Sequence, residues 1–166
     1  MSGGRILTDQ EIDSYLKERK LLPTENLKSS RWKDKEGHRQ RNIEVKTDDP
    51  EYSFQIFERQ NKLNLLDFSV GLYLKFANSN EKIVLIRCNG SSHSHPNKIE
   101  NEFIKRNFHI HMATERYMRL GINKAESYAV EAKEYSDIEG AFQYLCGKCN
   151  IVVGDITTRR LSDVWE

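Results

Sequence analysis

The feature that most constrains the fold is an apolar residue at every second position of residues 67–77. Alternate side chains of a β-strand point to the same face, so this pattern predicts a strand with one face on a core. A polar turn at residues 78–80 separates it from a second apolar run at residues 81–88. Because so short a connection joins neighbouring strands in opposite directions, the sequence predicts antiparallel pairing.

Other segments carry the same signals of strand and helix. Alternation predicts strands at residues 42–47, 51–58 and 107–113. Thr8 and Glu11 have the spacing of a capping box, in which each residue satisfies a backbone N–H at the start of a helix. This first helix should run to about residue 20 and be stopped before Pro23.

Helical spacing dominates the C-terminal third. Short helices are predicted at residues 114–120, ended by Gly121, and at residues 123–133. A second capping box at Ser136 and Glu139 precedes the apolar stripe of a longer helix. That stripe consists of Ile138, Ala141, Phe142, Leu145 and Cys146.

Together these elements predict a single domain over residues 1–166. Its class is α+β, an antiparallel sheet of about five strands with a single layer of helices packed on one face. Residues 1–7 are expected to form a loose tail. Residues 22–41, which are polar and charged, are expected to form a charged basic loop or arm.

Charge and composition limit the function classes. No apolar run is long enough for a membrane helix and no signal-peptide pattern opens the chain, so we expect a cytoplasmic protein. Three cysteines, an odd number, argue against a disulfide scaffold. The net charge is only +1, yet residues 17–46 hold ten basic and five acidic residues. This segment could attract RNA or an acidic protein partner.

Four of the five histidines lie in one stretch, residues 87–115. In a strand, His109 and His111 would share one face, and Phe108, Ile110 and Met112 would point to the core. Imidazole is the side chain whose ordinary pKa lies near neutral pH, so such a pair suits proton transfer or metal binding.

Upstream of this pair, a polar loop leaves the end of a buried strand. It carries Arg87, Asn89, His93 and His95, and Asn89 and Gly90 are predicted to form a tight turn because both residues tolerate positive φ. We therefore predict a site between this loop and the histidine face. Its candidate catalytic residues are Arg87, Asn89, His93, His95, His109 and His111.

A wider pattern of residues extends this stretch. It consists of Arg87, Asn89, Gly90, His93 or His95, His109-Ile-His111, Ala113-Thr114, Gly121, Tyr128-Ala129, Tyr135, Ala141 and Cys149-Asn150-Ile151. In these residues the chain from residue 83 onward resembles a family of small prokaryotic proteins with a domain of unknown function. That resemblance implies no established activity. In size and histidine content the chain is also similar to toxin ribonucleases of toxin–antitoxin modules.

The first functional hypothesis is a small toxin-like protein that binds RNA or cleaves it without a metal. RNA supplies its own nucleophile, the 2′-hydroxyl, so the protein needs a base, an acid and a cation. His109 and His111 could be base and acid. Arg87 could hold the phosphate, and Asn89 or His93 could orient it.

The second hypothesis is a site for a divalent transition metal. His109, His111 and Glu115 have the spacing His-x-His-x₃-Glu of the first cupin metal motif, and His95 could supply a third imidazole. The second cupin motif is absent, since no histidine follows His111. Cys146 and Cys149 form a Cys-x₂-Cys pair, but Cys146 lies on the apolar stripe of the predicted helix and is expected to be a core residue.

The third hypothesis is a binding module without catalysis and without a cofactor, such as an antitoxin partner or an inhibitor from a mobile element. The histidines would then have a structural role, hydrogen-bonding to backbone carbonyls or to carboxylates. No Ser-His-Asp or Cys-His arrangement can be identified from the sequence. The chain also lacks the glycine-rich patterns of nucleotide-binding loops.

Overall fold

A computed structural model describes residues 4–121 and 124–155. The helices are α1 (Asp9–Lys17), α2 (Thr24–Ser29), α3 (Glu115–Leu120) and α4 (Ile138–Lys148). The strands are β1 (Lys20–Pro23), β2 (Lys33–Asp34), β3 (His38–Val45), β4 (Tyr52–Asn61), β5 (Phe68–Phe76), β6 (Lys82–Asn89), β7 (His95–Asn97), β8 (Glu102–Ile104), β9 (His109–Met112), β10 (Tyr128–Glu131) and β11 (Ile151–Gly154).

The centre of the fold is an antiparallel sheet in the order β10-β9-β6-β5-β4-β3-β2. The α+β class and the antiparallel meander are confirmed, with seven strands in this sheet instead of about five. The two additional strands, β2 and β10, are short strands at its edges. Two small sheets accompany it, the parallel pair β1-β11 and the antiparallel pair β7-β8. No helix in the described parts of the chain is long and apolar enough to cross a membrane.

One face of the sheet forms the core. The alternating positions predicted on β5, from Phe68 to Leu74, are almost fully buried. The helix α4 packs against β5 and β6, with Ala141 and Leu145 in the same apolar cluster, and α1 adds Ile12 and Leu16. The opposite face of β3 to β6 carries polar and aromatic side chains that are partly or fully exposed.

The N-terminal region is more ordered than predicted. Thr8 and Glu11 form the expected capping box, but α1 ends at Lys17 and the chain continues into β1. Pro23 lies at the end of β1 and precedes α2, so it does not terminate α1. The expected loose tail is also wrong for residues 4–7, since Leu7 is 1% exposed in the core. Residues 1–3 lie outside the described residues.

Residues 22–41 do not form the expected loop or arm. They contain α2, β2 and the start of β3, because β3 is longer than its apolar residues indicate and pairs with β4 along its own whole length. The Trp32 ring lies under two guanidinium groups, 4.0 Å from Arg39 and 4.8 Å from Arg41. Lys20 is fully buried, and its ammonium donates to three backbone carbonyls. Several basic residues of the wider segment 17–46 therefore have structural roles.

The predictions for the C-terminal third were partly wrong. The helix α3 forms and Gly121 ends it at a φ of 71°. Residues 128–131, predicted as helix, form β10, because pairing with the free edge of β9 outweighs a weak local helical pattern. The N-cap of α4 is Asp137 and not Ser136, since the Asp137 carboxylate accepts the backbone N–H of Gly140.

Candidate functional site

The candidate residues meet where β6 and β9 pair. Arg87 lies directly opposite His111, and Asn89 lies opposite His109. Ile110 on the same strand is buried in the core. The alternation of β9 therefore places His109 and His111 on the face of the sheet away from the core, as the sequence predicts.

A third imidazole reaches this face from the loop that follows β6. The side chain of Asn97 donates to the carbonyl of Ala129 at 2.7 Å and accepts its N–H at 3.0 Å, so β7 is held against β10. This attachment brings the ring of His95 to 4.5 Å from that of His111 and 6.0 Å from that of His109. The rings of His109 and His111 are 4.9 Å apart.

Each of the three imidazoles is held by a backbone carbonyl. His109 Nδ1 lies 2.8 Å from the carbonyl oxygen of Asn107, and His111 Nδ1 lies 2.9 Å from that of Glu126. His95 Nε2 lies 2.6 Å from the carbonyl oxygen of Ser127. A carbonyl only accepts, so these nitrogens carry the protons. The other nitrogen of each neutral ring, Nε2 in His109 and His111 and Nδ1 in His95, then carries a lone pair.

Burial keeps two of these rings neutral. His109 and His111 are 2% and 3% exposed. Loss of solvent, together with the nearby Arg87 guanidinium, lowers the pKa of His111 to about 2. Burial also lowers the pKa of His109. At neutral pH, His111 is therefore a hydrogen-bonding group without charge and cannot act as a general acid.

The side chains around the imidazoles form a pocket of about 290 Å³, which we call the histidine pocket. Its lining residues are Arg87, Asn89, His93, Ser94, His95, His109, His111, Lys124, Glu126 and Ser127. The sequence interpretation missed Lys124, Glu126 and Ser127, since they lie in a segment predicted as helix. No local pattern identifies them, because the fold of residues 124–127 over His111 brings them there.

Arg87 is incompletely paired in this pocket. Its Nη1 lies 3.6 Å from Oε1 of Glu126, a buried carboxylate that is 3% exposed. Its Nε has no hydrogen-bond partner among the described residues. A guanidinium has five N–H donors. Arg87 therefore retains donors for an anion that enters the pocket.

Two other predicted residues lie at the margin of the pocket or outside it. The imidazole of His93 is 71% exposed, and its Nδ1 lies 2.7 Å from Ser92 Oγ and 4.0 Å from a carboxylate oxygen of Asp67. Glu115 does not line the pocket, because it starts α3 and accepts from Arg119 at 2.7 Å. The cupin-like set His109, His111 and Glu115 is therefore not brought together.

The described residues show no metal site. Residues 4–121 and 124–155 contain no group of three or more histidine, cysteine or acidic side chains that is arranged to hold a metal ion. Cys146 and Cys149 are free thiols in or against the core, and burial raises their pKa to about 11 and about 12. They are hydrophobic side chains in this structure, as expected for Cys146.

Gly90 has a different role from the one predicted. Its φ is not positive, so it does not form the expected tight turn. Instead, a Cβ at this position would lie 1.8 Å from the carbonyl oxygen of Leu66. The backbone of Gly90 and Ser91 hydrogen-bonds to Phe68 and Leu66, and this close approach fixes the start of the loop that carries His93 and His95.

Comparison with known proteins gives a family but no activity. The chain matches a family of unknown function, DUF6978, over residues 7–151. The chain belongs to this family. The match extends well upstream of residue 83, where the sequence resemblance began, and it includes α1 as well as the histidine pocket. No curated protein and no solved structure matches the chain.

Proposed function

We propose that this DUF6978 protein binds RNA and holds one phosphate of the chain in the histidine pocket. The observation that carries the proposal is the incomplete pairing of Arg87, whose only carboxylate contact among the described residues is 3.6 Å long, in a pocket that Lys124 also lines. A guanidinium with free donors can bind a phosphate bidentately, and an ammonium adds a second charge. Glu126, the one carboxylate among the described residues that line the pocket, lies beside Arg87.

The neutral histidines complete the pocket without adding charge to it. His109 and His111 form the buried floor of the pocket, where a positive charge would be close to Arg87. In the neutral state they add no charge. Nε2 of His109 already lies 3.4 Å from the Asn89 side-chain amide, while Nε2 of His111 can accept a hydrogen bond from a ribose hydroxyl group. The pocket therefore contains groups that can bind the phosphate of a nucleotide and groups that can bind its sugar.

Cleavage of the bound RNA is a second candidate function, favoured by the short hydrogen bond of His95. Its Nε2–H donates to the Ser127 carbonyl at 2.6 Å, so Nδ1 carries the free lone pair. The ring of His95 is half-exposed. In this reaction His95 Nδ1 takes the proton of a 2′-hydroxyl, whose oxygen then bonds to phosphorus. The bond from phosphorus to the 5′-oxygen breaks, and that oxygen takes a proton from the His93 imidazolium, beside Asp67. The products are a 2′,3′-cyclic phosphate and a 5′-hydroxyl.

These roles revise the first hypothesis. His109 and His111, expected as base and acid, become the floor that positions the substrate, because His111 cannot hold a second proton at neutral pH. The exposed rings of His93 and His95 take the proton-transfer roles instead. Arg87 and Lys124 stabilise the additional negative charge of the transition state.

Binding is tested by fluorescence anisotropy with a labelled single-stranded RNA of about ten nucleotides at about 50 mM and about 200 mM salt. Lys124→Ala should weaken binding and reduce the slope against log salt by about 1, because one phosphate contact is lost. Lys28→Ala, an exposed lysine on α2, is the matched control and should bind like wild type. Wild-type protein without affinity for RNA at the lower salt concentration would refute the proposal.

Cleavage is tested by digestion of the same RNA with EDTA present. A product with a 2′,3′-cyclic phosphate should form, and His95→Ala should lower the rate by about 10²-fold or more if this ring is the base. His38→Ala, at the histidine outside the stretch, is the control. RNA that is bound but never cut would reject cleavage and leave binding intact.

A further inference from the structure

The face of the sheet away from the core continues beyond the histidine pocket. Pairing across the strands places Phe57, Gly71, Arg87 and His111 in one row, on β4, β5, β6 and β9. Neighbouring strands are about 5 Å apart, so the backbone of Phe57 lies about 10 Å from that of Arg87. One row of residues therefore leads from an aromatic side chain to the floor of the pocket.

The aromatic side chain in this row lies over Gly71. A Cβ at Gly71 would be 2.2 Å from Cζ of Phe57 and 2.5 Å from Cε1, so the ring covers the position where any other residue would have a side chain. The ring of Tyr73 packs against it, with centroids 4.5 Å apart and planes inclined at 38°. Both rings are partly exposed. Together they form an aromatic surface, the Phe57–Tyr73 platform, on an otherwise polar face.

The charges on this face complement a polyanion. Its positions on β3 to β6 carry four cationic side chains: Arg59, Lys75, Lys82 and Arg87. They carry a single carboxylate, Glu44, which is paired with Lys75 at 2.9 Å. The ammonium of Lys82 lies 5.2 Å from the centre of the Tyr73 ring.

Arg87 connects the platform to the histidine pocket. It lines a cleft that also contains Phe57, Tyr73 and Arg59, and it lines the pocket beside His95 as well. A ligand that lies along the face therefore meets aromatic rings, then a guanidinium, then imidazoles. The residues that line this cleft all belong to β3 to β6, and the cleft is open to solvent. On its other side the platform borders a second pocket, which Met118 of α3 also lines.

From this arrangement we infer that the ligand is single-stranded RNA, which crosses the open face and stacks a base on the Phe57–Tyr73 platform while a neighbouring phosphate occupies the histidine pocket. The inference rests on the proposed function and specifies the form of its ligand. Unpaired bases have a free face for stacking, and a basic surface follows the backbone without reading sequence. Bases inside a duplex are stacked on each other and cannot reach the platform.

The test compares ligands of two lengths on one double variant. Phe57→Leu with Tyr73→Leu keeps the apolar character and removes the aromatic faces. Its affinity for single-stranded RNA of about ten nucleotides should fall about tenfold to a hundredfold, as expected when one base loses its stacking partner. Its affinity for a nucleoside monophosphate, which occupies the histidine pocket alone, should not change. Phe103→Leu, at a ring that is 65% exposed on β8 and outside the platform, is the matched control.

Different outcomes separate this inference from the proposed function. If the double variant binds RNA like wild type while Lys124→Ala binds it weakly, the platform is refuted and the phosphate site stands. If wild-type protein binds neither ligand, both are refuted. Duplex RNA that binds as tightly as single-stranded RNA would also overturn the inference.

A second measurement on wild-type protein does not depend on the folding of the variant. Single-stranded RNA with a photoreactive pyrimidine should cross-link under ultraviolet light. Mass spectrometry should map the linked peptide to β4 or β5. Cross-links confined to α2 and β2, the exposed part of the basic segment 17–46, would refute base stacking on the platform.

Discussion

Because His111 is buried and neutral, the stability of the protein should depend on pH in a way that one substitution removes. Burial lowers the pKa of this ring from 6.5 to about 2 in the folded protein. In the unfolded chain the same ring is solvated and takes up a proton below about pH 6.5. Between these two pH values the unfolded chain binds one more proton than the folded protein.

The sign and the size follow from this difference. The contribution of the neutral His111 ring to the free energy of unfolding is complete above about pH 6.5. It is lost as the pH falls, because proton binding then favours the unfolded chain. Each pH unit corresponds to about 1.4 kcal/mol, so the free energy of unfolding should fall by about 2 kcal/mol between about pH 6.5 and about pH 5. For a chain of this size that loss lowers Tm by about 4–8 °C. His109, whose pKa burial also lowers, acts in the same direction.

Urea unfolding of wild type and His111→Asn at several pH values isolates this effect. The amide of the variant can still donate to the Glu126 carbonyl, but it does not titrate. The variant should be less stable near pH 7, since the ring no longer fills its site, and its stability should change less on acidification. His93→Asn, at a side chain that is 71% exposed, is the control for the loss of an imidazole outside the buried floor of the pocket.

The difference between the two pH dependences is the decisive quantity, since other groups titrate equally in both proteins. It should approach about 2 kcal/mol at about pH 5. Parallel curves for wild type and His111→Asn would show that His111 is protonated as readily in the folded protein as in the unfolded chain. The neutral pocket floor would then be wrong, and with it the roles proposed for the other histidines.

Three further substitutions test how the fold positions the site. Gly90→Ala should lower the free energy of unfolding by about 1–3 kcal/mol or more, because its Cβ would lie 1.8 Å from the Leu66 carbonyl oxygen, and chemical denaturation would measure the loss. Lys20→Met leaves three backbone carbonyls without their donor and should cost about 1–3 kcal/mol in the same assay. Thr8→Ala removes half of the capping box and should cost about 1 kcal/mol, while wild-type stability in this variant would mean that the cap is dispensable.

Much of the sheet could be predicted from the sequence because its signal is local. The alternation in β5 and the short polar turn before β6 specify strands, pairing direction and buried face without any distant contact. The histidine face of β9 followed from the same rule, since His109 and His111 are two residues apart. The capping box of α1 was equally local, and it formed as predicted.

Where pairing with a distant segment competes with a local preference, the sequence was misleading. Residues 128–131 have helical spacing, yet the free edge of β9 draws them into β10. Residues 22–41 look like a charged loop, yet β3 begins there because β4 offers a full-length partner. Gly90 was read as a turn residue, whereas a carbonyl from the distant Leu66 is what excludes a side chain.

The sequence by itself determined that two imidazoles share one strand face and that Arg87 lies near the end of the strand before them, since strand periodicity acts over two residues. Only the tertiary structure decided the protonation state of those imidazoles and which side chains surround them. Their neutrality depends on burial beneath residues 124–127, and the Glu126 and Lys124 side chains arrive there through a connection that has no local signature. The site is therefore specified by strand pairing and by desolvation, which depend on residues far apart in the chain.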